Sequence, residues 1–242
     1  AGYDVSRIRK LMISSAPARK DTKLAILDHF RNSELFELYG STEAGWVTLL
    51  RPHEQITKLG SVGREWTGSG PIKLLDPSGA EVRDGDVGEL FSRTPYTFDG
   101  YWKNPEKTAE ALRPDGYCSV GDLAMRDAEG FIHLVDRKSN MIISGGENVY
   151  PSEVEEVVGR CPGVKDVAVI GVPHDKWGEA VHAVIVAHAD ATLTEDQVLD
   201  WCRDRIAGYK RPRSISFIAE SEMPRTATGK ILHRRLRDRY AQ

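Results

Sequence analysis

At 242 residues the chain has room for one large domain or two ordinary ones, and its 40% hydrophobic and 29% charged residues are those of a soluble globular protein. A net charge of −3 is too small to draw the whole chain to nucleic acid or to a membrane surface. The longest apolar runs, VAVIGV and AVIVA, have the length of buried strands, so no integral membrane segment is expected. The chain opens at Ala1 rather than Met and carries no signal peptide, which leads to the expectation of a processed or truncated product. Cys118, Cys161 and Cys202 are far apart and form no CxxC pair. That pattern argues against a disulfide framework or a zinc site and for a reducing, cytoplasmic location.

In chain order, residues 21–31 place Leu24, Leu27 and Phe30 at helical spacing, and LFELYG after them reads as a strand. A strand running into YGSTEAG is the layout of α/β proteins, whose ligands sit beyond the carboxyl ends of strands. From 60 to 136 the texture becomes β-rich: PIKLLD, VGELF and FIHLVD alternate with turn pairs. NMIIS then reads as a strand. PSEVEEVVGRCPG follows as a helix with Val154, Val157, Val158 and Cys161 on one face and Pro151 at its start. Two apolar strands, VKDVAVIGV and AVHAVIVA, precede a helix at 194–206 opened by Thr194, a strand at 214–219 and a last helix from about 230. The expected fold class is α/β (1–59) plus a β-rich subdomain (60–136), followed by a compact α+β C-terminal domain (137–242). The charged stretch DRKSN, around Asp136–Asn140, is the boundary.

Several stretches carry chemistry. In YGSTE, Gly40 lets a ligand approach the backbone, Ser41 and Thr42 offer hydroxyls to phosphate, Glu43 suits Mg²⁺ and Tyr39 presents a flat face to a base; a capped strand-to-helix turn fits the same residues. YCSVGDLA ends a strand with Gly-Asp, and the Asp122 carboxylate has two acceptor oxygens for a ribose diol, or serves an ordinary turn. Arg137 supplies a fork for phosphate or sugar, and SGGEN sets Gly145 and Gly146 in a loop between strand and helix, where backbone N–H groups are available. Trp177 stands at a loop-to-strand junction, as a core aromatic or a ligand-facing one. From Arg205 to the end there are ten Lys or Arg against three Asp or Glu. Within that stretch YKRPRS (Tyr209 to Ser214) suits a multiply phosphorylated nucleotide or a solvated face.

PRTATGKIL, residues 224–232, contains Gly-Lys but is no Walker loop: the first glycine is missing and Ile231 replaces the hydroxyl residue. A single lysine, Lys230, delivered to a phosphate as a point charge, remains open.

Taken together, ELYGSTEAG, GYW, PEKTAEAL, DGYCSVGDLA, GFIHLVDRKSNMIISGGENVYPSEVEEVV, GVPHDKWGEAVHAVIV and PRTATGKIL resemble the adenylate-forming acyl-CoA synthetase superfamily, from about Leu11 to the end. The superfamily includes fatty-acyl and aryl-CoA ligases, luciferases and peptide-synthetase adenylation domains. The resemblance implies a carboxylic acid–CoA ligase that uses ATP, Mg and CoA: carboxylate and ATP give acyl-AMP and pyrophosphate, then CoA displaces AMP. It implies that Tyr39 stacks on adenine, Gly40, Ser41 and Thr42 border the phosphates, Glu43 binds Mg²⁺, and Asp122 and Arg137 hold the ribose. Lys230, with Thr42 and Glu43, would be catalytic in adenylation. Gly145, Gly146 and Trp177 would line the pantetheine channel, and Tyr209, Arg211 and Arg213 the nucleotide end of CoA. SSAP (14–17), Arg93, Val120 and Ser139 depart from the family's usual residues. The family's Gly- and Ser/Thr-rich phosphate loop is absent from these residues, so the expectation is a carboxy-terminal half, inactive alone in adenylation, with an N-terminal half as its intramolecular partner. The partners expected are a small carboxylic acid, ATP and CoA, with no nucleic acid. The alternatives are transfer of the acyl group to a carrier protein, or a nucleotide- or CoA-binding module without catalysis.

Overall fold

The computed structural model describes residues 3–15, 18–227 and 229–241; Ala16 and Pro17 of SSAP and Thr228 of the lysine loop lie outside them. The chain divides into two compact units, residues 1–135 and 136–242.

In the first unit β1 (Lys10–Ile13) runs parallel to β2 (Glu34–Ser41), connected by α1 (Lys20–His29); β3 (Gly45–Leu50) and β4 (Arg64–Glu65) extend the sheet antiparallel. β1 is its outer strand, with Met12 exposed. Helix α1 forms where the spacing predicts it, but its buried contact is not the expected one. Leu24 is exposed, and Lys23 is buried against Glu37 of β2 in an ion pair. Burial pushes the Glu37 carboxyl up, against the hydrogen bond and charge of Lys23. Loss of either partner would leave a buried charge unpaired, the costly case for internal ion pairs.

A second sheet of short strands contains β5 (Lys73–Leu75), β6 (Val87–Phe91), β7 (Asp122–Arg126) and β8 (Ile132–Arg137), in that order. α2 (Pro105–Ala111) is capped by Asn104, whose side chain accepts from Lys107 N at 3.1 Å. Ile72, Leu74, Leu90, Cys118, Ala124 and Ile132 form the core with Ala44 and Val47. Asp122 opens β7 rather than ending a strand, as the sequence suggested.

The second unit is organised on a long hairpin of β11 (Val164–His174) and β12 (Gly178–Ala187). β9 (Ile142–Ser144), paired in turn with β10 (Glu147–Val149), meets the start of β12, and β13 (Ser214–Phe217) pairs parallel along its middle. Val167, Val169, Val181, Ala183 and Ile185 face α3 (Pro151–Val158) and α4 (Glu195–Arg203). Ala168, Ile170, Val184 and Val186 face Met223 and Leu236, the latter on α5 (His233–Tyr240). Successive strand residues point to opposite faces, so covering both faces requires apolar residues in unbroken runs. α4 begins with a capping box in which Thr194 and Gln197 exchange hydrogen bonds of 2.9 and 3.3 Å. Cys161 lies beyond the end of α3; it, Cys118 and Cys202 are all buried. Burial is the main cause that pushes the Cys118 and Cys202 thiols up to about 11.

Two histidines give this unit opposing pH responses. His182 of β12 is buried, meets Ser214 Oγ through Nδ1 at 2.7 Å and has no partner on Nε2. Burial lowers its pKa, so its neutral form is favoured in the fold. Its contribution is present above the unfolded value, near 6.5, and is lost as pH falls through the folded value. His233 of α5 donates from Nε2 to Glu155 Oε1, 2.7 Å away. Burial works against its charge, but Glu155 and the charge of Asp136 outweigh it and raise its pKa. That contribution is full below the unfolded value and fades as pH rises through the folded one. Urea unfolding of wild type and His182→Gln at pH 5 and pH 7.5 should show the variant's deficit shrinking at the acid pH; a deficit equal at both would exclude this role for His182.

Candidate functional site

The YGSTE residues do not lead into a helix. They form the tip of the β2–β3 hairpin, with Ser41 opposite Gly45 and a register shift between Tyr39 and Gly40. Gly40 is required by the fold itself, since a Cβ there would lie 2.1 Å from the Gly45 carbonyl oxygen. The approach expected of a ligand is made by the chain's own backbone. Ser41 Oγ accepts from Ala44 N at 2.9 Å, which closes the turn and leaves Thr42 exposed. Loop 94–101 backs the tip: Thr94 Oγ1 donates to Ala44 O at 2.6 Å and Phe98 N to Glu43 O at 2.8 Å. Tyr39, packed on the core, donates its hydroxyl to Asp122 Oδ2 at 2.7 Å across 83 positions of sequence. Two of the residues expected at a nucleotide are thereby joined. Tyr101, to which the sequence reading gave no role, donates its hydroxyl to Glu43 Oε1 at 2.7 Å and packs edge-on to Phe98.

In the second unit Gly145 and Gly146 connect no strand to a helix. With φ of +62° and +87° they form the two-residue turn between β9 and β10, in the backbone signs of the type I′ turn whose twist matches that of the flanking strands. Gly145 N donates to Trp177 O at 2.9 Å, and a Cβ on Gly145 would meet the indole at 3.3 Å. Trp177 occupies the turn between β11 and β12, stacked on His174 at 4.4 Å, with the Arg213 guanidinium 4.5 Å from its ring centre. The four residues Gly145, Gly146, Trp177 and Arg213 therefore meet at one end of the long hairpin. Tyr209 is exposed on a 3-10 turn at 208–210 that rests against β10, tied down by Lys210 to both oxygens of Glu153 at 2.7 and 2.8 Å. Arg211 turns its Nε to the Ile206 carbonyl at 3.3 Å. Arg137 is exposed at the end of β8, where Asp136 accepts from Arg137 N, Asn140 Nδ2 and Ser152 N.

Lys230 is exposed on a closed turn: Thr226 N donates to Lys230 O at 2.8 Å and Lys230 N to Thr226 Oγ1 at 3.1 Å. Arg225 spans from this turn to Asp166 of β11. Asp166 lies near the start of β11 and Trp177 beyond its end. Eight residues of strand separate Asp166 from His174, about 26 Å at the usual rise. The lysine turn and the Trp177 cluster thus lie at opposite ends of one hairpin.

Comparison with known proteins matches residues 1–102 to the AMP-binding enzyme family and residues 153–230 to the AMP-binding enzyme C-terminal domain, together most of the chain. The chain belongs to the AMP-binding enzymes. It is 42% identical over 239 residues to a feruloyl-CoA synthase of an Amycolatopsis species, covering 98% of this chain and 47% of that protein. It is 41% identical over 204 residues to a long-chain-fatty-acid–CoA ligase of Salmonella typhimurium, covering 84% and 36%. Among solved structures, an O-succinylbenzoate coenzyme A synthetase of Bacillus subtilis in complex with ATP and a magnesium ion superposes with a TM-score of 0.83 at 30% identity, covering 94% of this chain and 46% of that one. The mixed sheets with few helices are those of the adenylating enzymes, and this AMP-binding enzyme chain spans less than half the length of the curated relatives it matches. Among the described residues no helix is long and apolar enough to cross a membrane.

Glu43 suits a magnesium ion: a hard carboxylate at a hairpin tip, with one oxygen oriented by Tyr101 and hydroxyls next to it in the chain. Among the described residues no three His, Cys, Asp or Glu side chains converge, so an ion held here would complete its shell with water and phosphate oxygens, as Mg²⁺ commonly does. Gly40→Ala should cost about 1–3 kcal/mol in urea unfolding, because the new methyl group collides with backbone rather than with a movable side chain. Unchanged stability would mean that the hairpin is not as tight as the contact implies.

Proposed function

We propose that this AMP-binding enzyme chain is the carboxy-terminal half of an AMP-forming carboxylic acid–CoA ligase acting in the cytoplasm, with the second unit serving both halves of the reaction. The observation that carries the reading is that the lysine turn and the Trp177 cluster belong to opposite ends of the β11–β12 hairpin, whose strand runs about 26 Å from Asp166 to His174. A two-step ligase needs one set of groups for adenylation and another for the thiol, each present in its own step.

In the first step a carboxylate oxygen of the acid attacks the α-phosphorus of ATP, and the bond to pyrophosphate breaks with the electron pair leaving on pyrophosphate. Tyr39 offers its ring to adenine, and its hydroxyl holds the Asp122 carboxylate in place to accept from the ribose hydroxyls, with Arg137 as a second ribose contact. Ser41 and Thr42 donate to phosphate oxygens beside Gly40. Glu43, oriented by Tyr101, would hold Mg²⁺, which neutralises phosphate charge when bound. Lys230 reaches the acid and the α-phosphate as a mobile point charge. In the second step the CoA sulfur attacks the acyl carbon and AMP leaves. Gly145, Gly146 and Trp177 line the pantetheine path, and Tyr209, Arg211 and Arg213 lie on the nucleotide side. Residues 137–140, a turn closed by Asn140 N on Arg137 O at 2.9 Å, are the hinge in this reading.

In the full-length enzyme, Lys230→Ala should lower acyl-AMP formation on the order of 10²–10³-fold, while thioester formation from supplied acyl-AMP stays largely intact. Pyrophosphate exchange and thioester release measure the two steps separately. Equal loss of both would remove Lys230 from this role, and no thioester from any of a broad panel of acids would count against a CoA ligase.

A further inference from the structure

The lysine turn has its own internal hydrogen bonds, but those do not aim it. Thr226 and Lys230 close on each other, Gly229 N donates to Thr226 O at 2.9 Å, and Arg225 faces Ile231 across a backbone bridge. On the downstream side the chain is anchored by α5, through buried Leu236 and the His233–Glu155 pair. On the upstream side Met223 is buried against β11 and β12 and Pro224 O accepts from Leu232 N at 2.9 Å, and Arg225 adds a side-chain link that reaches the turn itself. Arg225 Nη1 donates to Gly229 O at 2.7 Å, on the residue directly before Lys230, and Nη2 pairs with Asp166 Oδ2 on β11. Asp166 stands at the register irregularity of β11, and its other oxygen accepts from Val167 N at 3.0 Å, which fixes the carboxylate.

We propose that Arg225, held by Asp166, is a positioning residue that sets the direction of Lys230 for adenylation. This rests on the reading of Lys230 as the adenylation lysine. A guanidinium suits the task because its planar fork binds two partners at a fixed angle, whereas an ammonium on the same stem is a point charge without that fixed geometry. Arg225 and Asp166 are 38% and 31% exposed at their side chains, so the pair adds little to folding. Its effect lies in geometry. A misplacement of about 1 Å in a positioned group costs on the order of 10²-fold in rate. The thiol step, which uses the opposite end of the hairpin, does not depend on it.

The test uses the full-length enzyme with the two half-reactions measured separately and urea midpoints taken for every variant. Arg225→Gln should lower acyl-AMP formation by roughly 10- to 100-fold and leave thioester formation from supplied acyl-AMP unchanged. Arg225→Lys should recover part of the loss. Asp166→Asn should impair the same step, and adding it to Arg225→Gln should cost nothing further, the signature of residues acting as one unit. If Lys230→Ala abolishes adenylation but Arg225→Gln and Asp166→Asn do not slow it, the positioning role is wrong and the function of Lys230 stands. If Lys230→Ala itself leaves adenylation intact, the underlying reading has failed. Equal loss of both half-reactions in Arg225→Gln, or additive losses in the double variant, would show a merely structural role. Should Arg225→Gln fail to fold, Asp166→Asn and Arg225→Lys carry the same comparison.

Discussion

The pairing of β11 with β12 is the constraint from which the second unit is built. Ten residue pairs run from Val164–Ala187 to His174–Gly178, and both faces of the ladder are covered. A ladder of that length buried on two sides resists bending, because a change in curvature would break main-chain hydrogen bonds where no water can replace them. What is attached to its two ends therefore keeps a fixed separation. The indole of Trp177 sits in the connecting turn, and the carboxylate of Asp166 stands at the free end. The helices occupy the faces and leave both ends open to chemistry.

The first unit solves a different problem. Its strands are short, and its polar groups are brought together by hydrogen bonds between distant segments. Tyr39 meets Asp122, and Tyr101 meets Glu43. Each tyrosine hydroxyl fixes one carboxylate oxygen, and a carboxylate held in that way loses little further freedom when it engages a ligand. The negative charge of Glu43 is felt as far as Cys118, whose thiol it helps to raise.

What could be read from the sequence follows the range of the interactions. The β11 and β12 runs, the capped helix opened by Thr194 and the helix begun by Pro151 announce themselves locally, through continuous apolar residues or caps within four positions. Gly145 and Gly146 were legible as a turn but not as a hairpin, since β10 is only three residues long and has no periodicity of its own. Asp122 looked like the end of a strand because Gly121 before it punctuates equally well in either direction. Lys23 gave no sign of burial: its partner Glu37 is on another element, and the neighbouring Leu24 matched the helical pattern better. Tyr101 was missed for the same reason, because the carboxylate that defines its environment lies 58 residues earlier. Recurrent motifs identified the AMP-binding family; only coordinates could show which of their side chains touch.

Strand β1 has a consequence of another kind. Among the described residues it is hydrogen-bonded on one side only, to β2, and it lies at the rim of its sheet with Met12 uncovered. Such a rim is a template, offering a row of amides and carbonyls at strand spacing that any extended polypeptide can complete. The sheet can therefore grow in one direction by a single rule of backbone pairing, indifferent to most side chains. For the carboxy-terminal half proposed above, that rim is where an upstream segment of the same polypeptide would add its strand.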